Sequence, residues 1–123
     1  MISVRDIFEF ILKNRRNKVF RNFIEEEILQ TIKETLYRRT IIVDTDEGQD
    51  KIFGVGMGYP VPGEDELMHI SHILTVRPKG GMARIMKRFT ELFPGWNIRA
   101  ERKGKIVYYK NVINLAKKIQ IYG

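Results

Sequence analysis

The 123 residues are 43% hydrophobic and 30% charged, the balance of a globular chain with one core, and this describes a single domain rather than a disordered segment. No cysteine is present, which excludes disulfides, thiolate zinc sites and cysteine nucleophiles and points to a reducing compartment. The formal net charge of +7 favours an anionic partner such as nucleic acid, a phosphorylated cofactor or an acidic protein, unless the Lys and Arg side chains merely solvate helix faces.

Val4, Ile7, Phe8, Ile11 and Leu12 fall on one helical stripe, with Ser3 placed to cap it and Asp6 in its first turn. Asn14 to Lys18 reads as a basic connector. A second helix is predicted with Phe20, Phe23, Ile24, Ile28, Ile32 and Leu36 facing inward, Glu25 to Glu27 near its start and Arg38-Arg39 at its end. The period then changes. Thr40 to Asp44 is a short β-branched strand, Asp46 to Asp50 a turn, and Lys51 to Met57 a returning strand. Gly54, Gly56 and Gly58 share one face of that strand, which suits a helix crossing closely over it, with a ligand as the alternative.

After the acidic Pro/Gly loop Tyr59 to Glu66, Leu67 to Val76 reads as a third strand. A helix follows, with Met82, Ile85, Met86, Phe89, Leu92 and Phe93 on one face and a stop at Pro94-Gly95. Trp96 to Glu101 is a fourth strand, Lys103-Gly104 a turn, and Lys105 to Lys110 a fifth strand. Val112, Leu115, Ala116 and Ile119 mark a last short helix. The order is ααβββαββα, an α/β (α+β) domain around one sheet. No apolar run approaches a membrane span, and Met1 to Asp6 is unlike a signal peptide, so a cytoplasmic location is expected.

The junction of the third strand with its helix carries the chemistry. It places the unpartnered N–H groups and positive dipole end of a helix beside Arg77, Lys79 and Arg84, which suits a phosphate. This succession resembles the GNAT superfamily of acyl-CoA transferases. Val76-Arg77-Pro78 is similar to the family's V-x-P, and Gly81-Met82-Ala83 to the end of its Q/R-x-x-G-x-G/A pyrophosphate loop. The resemblance implies a mixed, mostly antiparallel sheet flanked by helices, with acyl-CoA as a substrate. It further implies that Leu74, Thr75 and Val76 line the pantetheine. Gly80, Gly81, Met82 and Ala83 would cradle the pyrophosphate, with Arg77, Lys79 and Arg84 alongside.

Arg99-Ala100-Glu101 and the later Tyr109 are similar to the family's R-A-E-N…A-x-x-x-Y segment. Tyr109 would then hold the place of the tyrosine that protonates the leaving thiolate, with Tyr108 as its neighbour. The loop after Pro78 is shorter than the family's, and the family's usual first strand is missing. Whether residues 103 to 110 form a hairpin or a helix start decides where Tyr109 points. The ending also resembles the toxin-activating acyltransferases, through Pro78, Gly80, Phe93-Pro94, Ile98-Arg99 and Gly104-Lys105-Ile106. That group's N-terminal histidine has no counterpart here, where the histidines are His69 and His72.

Acyl transfer to an amine needs a base for its proton. Strict alternation sets His72 with Met68, Ile70, Leu74 and Val76, in apolar surroundings that lower its proton affinity. His69 falls on the other face with Ser71 and Thr75. Glu64 and Glu66 sit where the family often carries a general base, or else belong to a solvated loop. Two histidines three apart on a regular strand cannot share a metal, so no metal site is expected.

Three functions remain open. The first is a small acyltransferase using His72, Tyr109 or Glu66. The second is an inactive GNAT-like interaction protein, a homo-oligomer or a partner of another protein, by analogy with phage-encoded members carried in the virion. The third is a nucleic-acid-binding module using Arg84, Lys87 and Arg88 together with Arg15, Arg16 and Lys18.

Overall fold

A computed structural model describes residues 2–15, 19–102 and 104–109. Helix α1 (Val4–Asn14) starts at a reciprocal cap. The Ser3 hydroxyl accepts from the Asp6 N–H at 3.1 Å, and the Asp6 carboxylate accepts from the Ser3 N–H at 2.8 Å. Ile7 and Ile11 point from α1 into the core. Helix α2 (Glu25–Tyr37) starts at Glu25 rather than at Phe20, because Phe20 has φ 62, a left-handed conformation closed to a right-handed helix. Phe20 is nonetheless buried, in the turn before α2. Ile28, Ile32 and Thr35 form the inner stripe of α2. The expected Leu36 is 38% exposed, since the stripe continues from Ile32 by three residues rather than four.

Five strands follow: β1 (Ile41–Thr45), β2 (Ile52–Pro60), β3 (Leu67–Thr75), β4 (Asn97–Arg102) and β5 (Lys105–Tyr109), with α3 (Gly81–Leu92) between β3 and β4. They lie side by side in chain order as one sheet. Every pairing is antiparallel except β3 with β4, which the α3 crossover makes parallel. Of the stretch 103 to 110, the described residues Lys105 to Tyr109 therefore belong to a β4–β5 hairpin, not a helix start, and residues 103 and 110 lie outside the described residues. The expected last helix lies outside the described residues.

Two cores sandwich the sheet. Val55, Met57 and Leu74 pack with α1 and α2. Ile42, Met68, Ile70 and Ile98 pack with Ile85 and Phe89 of α3. The bare glycine face of β2 is where α3 crosses. A Cβ on Gly54 would stand 3.1 Å from Ile85 Cδ1, and one on Gly56 would be driven into Ile85 with Phe89 Cε2 at 3.1 Å.

Strand β3 changes faces partway. Met57 pairs with His72 but Gly58 pairs with Ile70, so Ser71 is an extra residue in the ladder. This bulge sends Met68 and Ile70 toward α3 but turns His72 and Leu74 toward α1 and α2. The strict alternation expected from the sequence fails at this point.

Candidate functional site

β3 and β4 pair only at their starts, Leu67–Ile70 with Asn97–Ala100, although β3 runs on to Thr75 and β4 to Arg102. Past Ile70 the two strands part. A cavity of about 1140 Å³ occupies the gap among the described residues. Met82, Met86, Lys87, Ala100 and Tyr109 line it on the α3 side, and Phe20, Phe23, Ser71, His72 and Glu101 on the other. The edge of β3 facing the gap carries main-chain groups. Val76 N–H is bonded to Phe53 O at 2.9 Å, on the β2 side. Alternation then directs the N–H and C=O of Ile73 and Thr75 into the gap. Leu74 turns its main chain toward β2 and its side chain into the core. Of the stretch 74–76, only Thr75 thus offers main-chain groups to a ligand, and Ile73 joins it.

Helix α3 starts beside this opening. Gly80 has φ 74 and no side chain caps the helix; no acidic residue lies in the first turn. Its positive end is therefore uncompensated. Gly81 lies against the Thr75 side chain, and a Cβ there would collide with it. Met82 and Ala83 face the cavity, and Lys79 is exposed.

The two arginines expected beside a phosphate are held elsewhere. Arg77 Nε donates to Asp44 Oδ2 at 2.6 Å and Arg84 Nε to Asp44 Oδ1 at 3.2 Å. The Arg77 guanidinium also lies 4.1 Å from the Phe53 ring centroid. Asp44 is buried on β1, so this triad fastens the loop after β3 and the first turn of α3 to a distant strand. Lys87, read from the sequence as part of a solvated basic face, lines the cavity instead.

His72 lies against Phe20, stacked at 4.4 Å, with Phe23 edge-on at 5.4 Å. Its Nδ1 is 2.9 Å from Ser71 Oγ. Burial, with a smaller contribution from His69, pushes the His72 imidazole down to about 4. His69 lies against Tyr59 and accepts at Nδ1 from Arg99 Nε at 3.0 Å. Burial, then the Arg99 charge, lowers its proton affinity, and Glu101 opposes them.

The bulge puts both histidines on the α1–α2 face, which removes the geometric ground on which a shared metal was excluded. No group of three or more His, Asp or Glu able to hold a metal occurs among the described residues. Tyr109 lines the gap from β5, while Tyr108 is exposed on the other face. Glu66 stands apart, at the closed end of the β3–β4 pair, where its carbonyl accepts from Asn97 N–H at 2.9 Å.

Glu101 is the residue that sequence reasoning passed over. It was visible only as part of a motif, and its position at the gap follows from where β4 leaves β3. Phe20 and Phe23 likewise read as helix stripe. Ser71 beside His72, two polar residues in succession within an apolar strand, was the available signal for the bulge.

No family model matches the chain, and no curated protein matches it. A solved structure from Desulfovibrio desulfuricans, described as a candidate acetyltransferase of the GNAT family, is similar to it with a TM-score of 0.53 and 18% identity. The match covers 94% of this chain and 78% of that one. The protein therefore has the GNAT fold. No helix among the described residues is long and apolar enough to cross a membrane.

Proposed function

We propose that this protein transfers an acyl group from acyl-coenzyme A to an amine or hydroxyl of a small molecule or protein. The parting of β3 and β4 beside an uncapped, acid-free helix start carries this reading. The pyrophosphate would meet the N–H groups of Gly81, Met82 and Ala83, with Lys79 and Lys87 as cations. The pantetheine amides would pair with Ile73 and Thr75, as an added strand pairs with a sheet edge.

The acceptor enters at the exposed rim of the cavity, beside Glu101. Its nitrogen or oxygen attacks the thioester carbon, the new bond forms, and the carbon–sulfur bond breaks. Glu101 takes the proton from the attacking atom and the Tyr109 hydroxyl supplies one to the thiolate. His72 is neutral at pH 7, and a group that binds protons so weakly suits an acceptor of hydrogen bonds better than a general base.

Calorimetric titration with coenzyme A and acetyl-CoA tests this reading. Dissociation constants of roughly 1–100 µM are expected. Gly81→Glu is a poor control, because any side chain at Gly81 strikes Thr75. Ala83→Glu is better: Ala83 is exposed, and an acid in the first turn complements the helix dipole. It weakens binding at least about tenfold without lowering the melting temperature. Absence of binding by either ligand at about 1 mM refutes the reading.

A second reading, a GNAT-fold protein kept for contacts with a protein partner or its own copies, draws on the commitment of Arg77 and Arg84 to Asp44. It gains if no ligand binds. The nucleic-acid reading is weakened because Arg84 turns to Asp44, Arg88 pairs with Glu91 at 3.1 Å and Lys87 faces the cavity.

A further inference from the structure

We infer that the acyl group this site accepts is an extended apolar chain of about eight carbons or more, lodged against Val19, Phe20 and Phe23, and not acetyl. The inference rests on the acyl-CoA reading above and goes beyond it in naming the donor class.

Size is the first ground. The cavity of about 1140 Å³, half open to solvent, has room for up to about forty groups of water size, at roughly 30 Å³ each, those at its mouth included. A pantetheine arm with an acetyl group fills about half of that. The remainder is large for a two-carbon acyl group, and its walls show what would fill it.

The walls are apolar. Phe20, Phe23, Ile70, Ile73 and Ile98 line the interior. The charged and amide side chains at the cavity, Arg21, Asn22, Lys87 and Glu101, are all exposed and so stand at its rim. Two of the hydroxyls within the wall already have partners, Ser71 Oγ donating to Met57 O at 3.2 Å and Thr90 Oγ1 to Lys87 O at 2.7 Å, and the third, that of Tyr109, serves the leaving sulfur. Apart from that hydroxyl and the main-chain edge of β3, the interior presents surface that gains most from burying methylenes. The weak proton binding of His72 between two phenyl rings is what such a dry wall would produce.

The test is a calorimetric series on the full chain with coenzyme A, acetyl-, butyryl-, octanoyl- and decanoyl-CoA. Each methylene buried is worth roughly fourfold in affinity, so octanoyl-CoA should bind at least about 100-fold more tightly than acetyl-CoA. Phe23→Ala should weaken octanoyl-CoA about tenfold and leave coenzyme A itself unchanged. Coenzyme A binding with equal affinity across the series overturns the inference and leaves the acyl-CoA reading standing. Binding by none of the ligands overturns both. The series on the unmodified chain decides the matter even where the Phe23 variant does not fold.

Discussion

Replacing His72 with Phe should remove most of an acid-side loss of stability. The imidazole binds its proton with an ordinary value of 6.5 when exposed but about 4 in the folded protein. Between these values the unfolded chain is protonated and the folded chain is not, so stability is full above about pH 6.5 and falls as the pH drops toward 4. At pH 4.5 the imbalance is about 2.5 kcal/mol relative to pH 7. Phe keeps a ring against Phe20, where His72 now stacks at 4.4 Å, and cannot titrate.

Urea unfolding followed by circular dichroism at pH 7 and pH 4.5 measures the effect. The parent midpoint should fall by about 1–2 M on acidification, and that of His72→Phe by much less. His69 is shifted in the same direction by its burial, and the lowered carboxyls of Asp6 and Asp46, held down by hydrogen bonds, lose their contribution only at still lower pH. All three remain in both proteins, so the difference between variants isolates His72. An equal loss in parent and variant would refute the claim that this histidine is held neutral by its surroundings.

Asp44→Ala leaves two guanidiniums without their buried carboxylate and should cost about 3 kcal/mol. Arg88→Ala, which breaks an exposed pair, should cost under about 0.5 kcal/mol. Thermal melts of the two variants check this contrast. Gly56→Ala forces a methyl into Ile85 and Phe89 and should destabilise by about 1–3 kcal/mol, read from the denaturation midpoint. A Gly56→Ala protein as stable as the parent would show that α3 does not pack closely on β2.

Much of the architecture was legible because it is built from local patterns. The Ser3–Asp6 cap, the stripes of α1 and α3, the Pro94-Gly95 stop and the bare glycine face of β2 all depend on residues a turn or a pleat apart. The resemblance to GNAT proteins was legible for the same reason, since it lies in one strand–turn–helix junction. The site was less legible. Phe20 looked like helix, yet its left-handed backbone places its ring under His72. Arg77 and Arg84 looked like phosphate ligands, yet each found a carboxylate 33 and 40 residues away.

By itself, then, the amino-acid sequence determined the order of the described elements, the two apolar faces that the sheet must cover, and the uncapped start of α3. Those features follow from periodicity, capping and turn chemistry, which act over a few residues. Only the tertiary structure decided which face His72 occupies, because one extra residue at Ser71 reverses the alternation of a strand. It also decided that β4 leaves β3 after Ile70, opening the cavity and bringing Glu101 and Tyr109 to it. Strand divergence depends on how the sheet packs against both helix layers, and no local pattern in β3 or β4 records it.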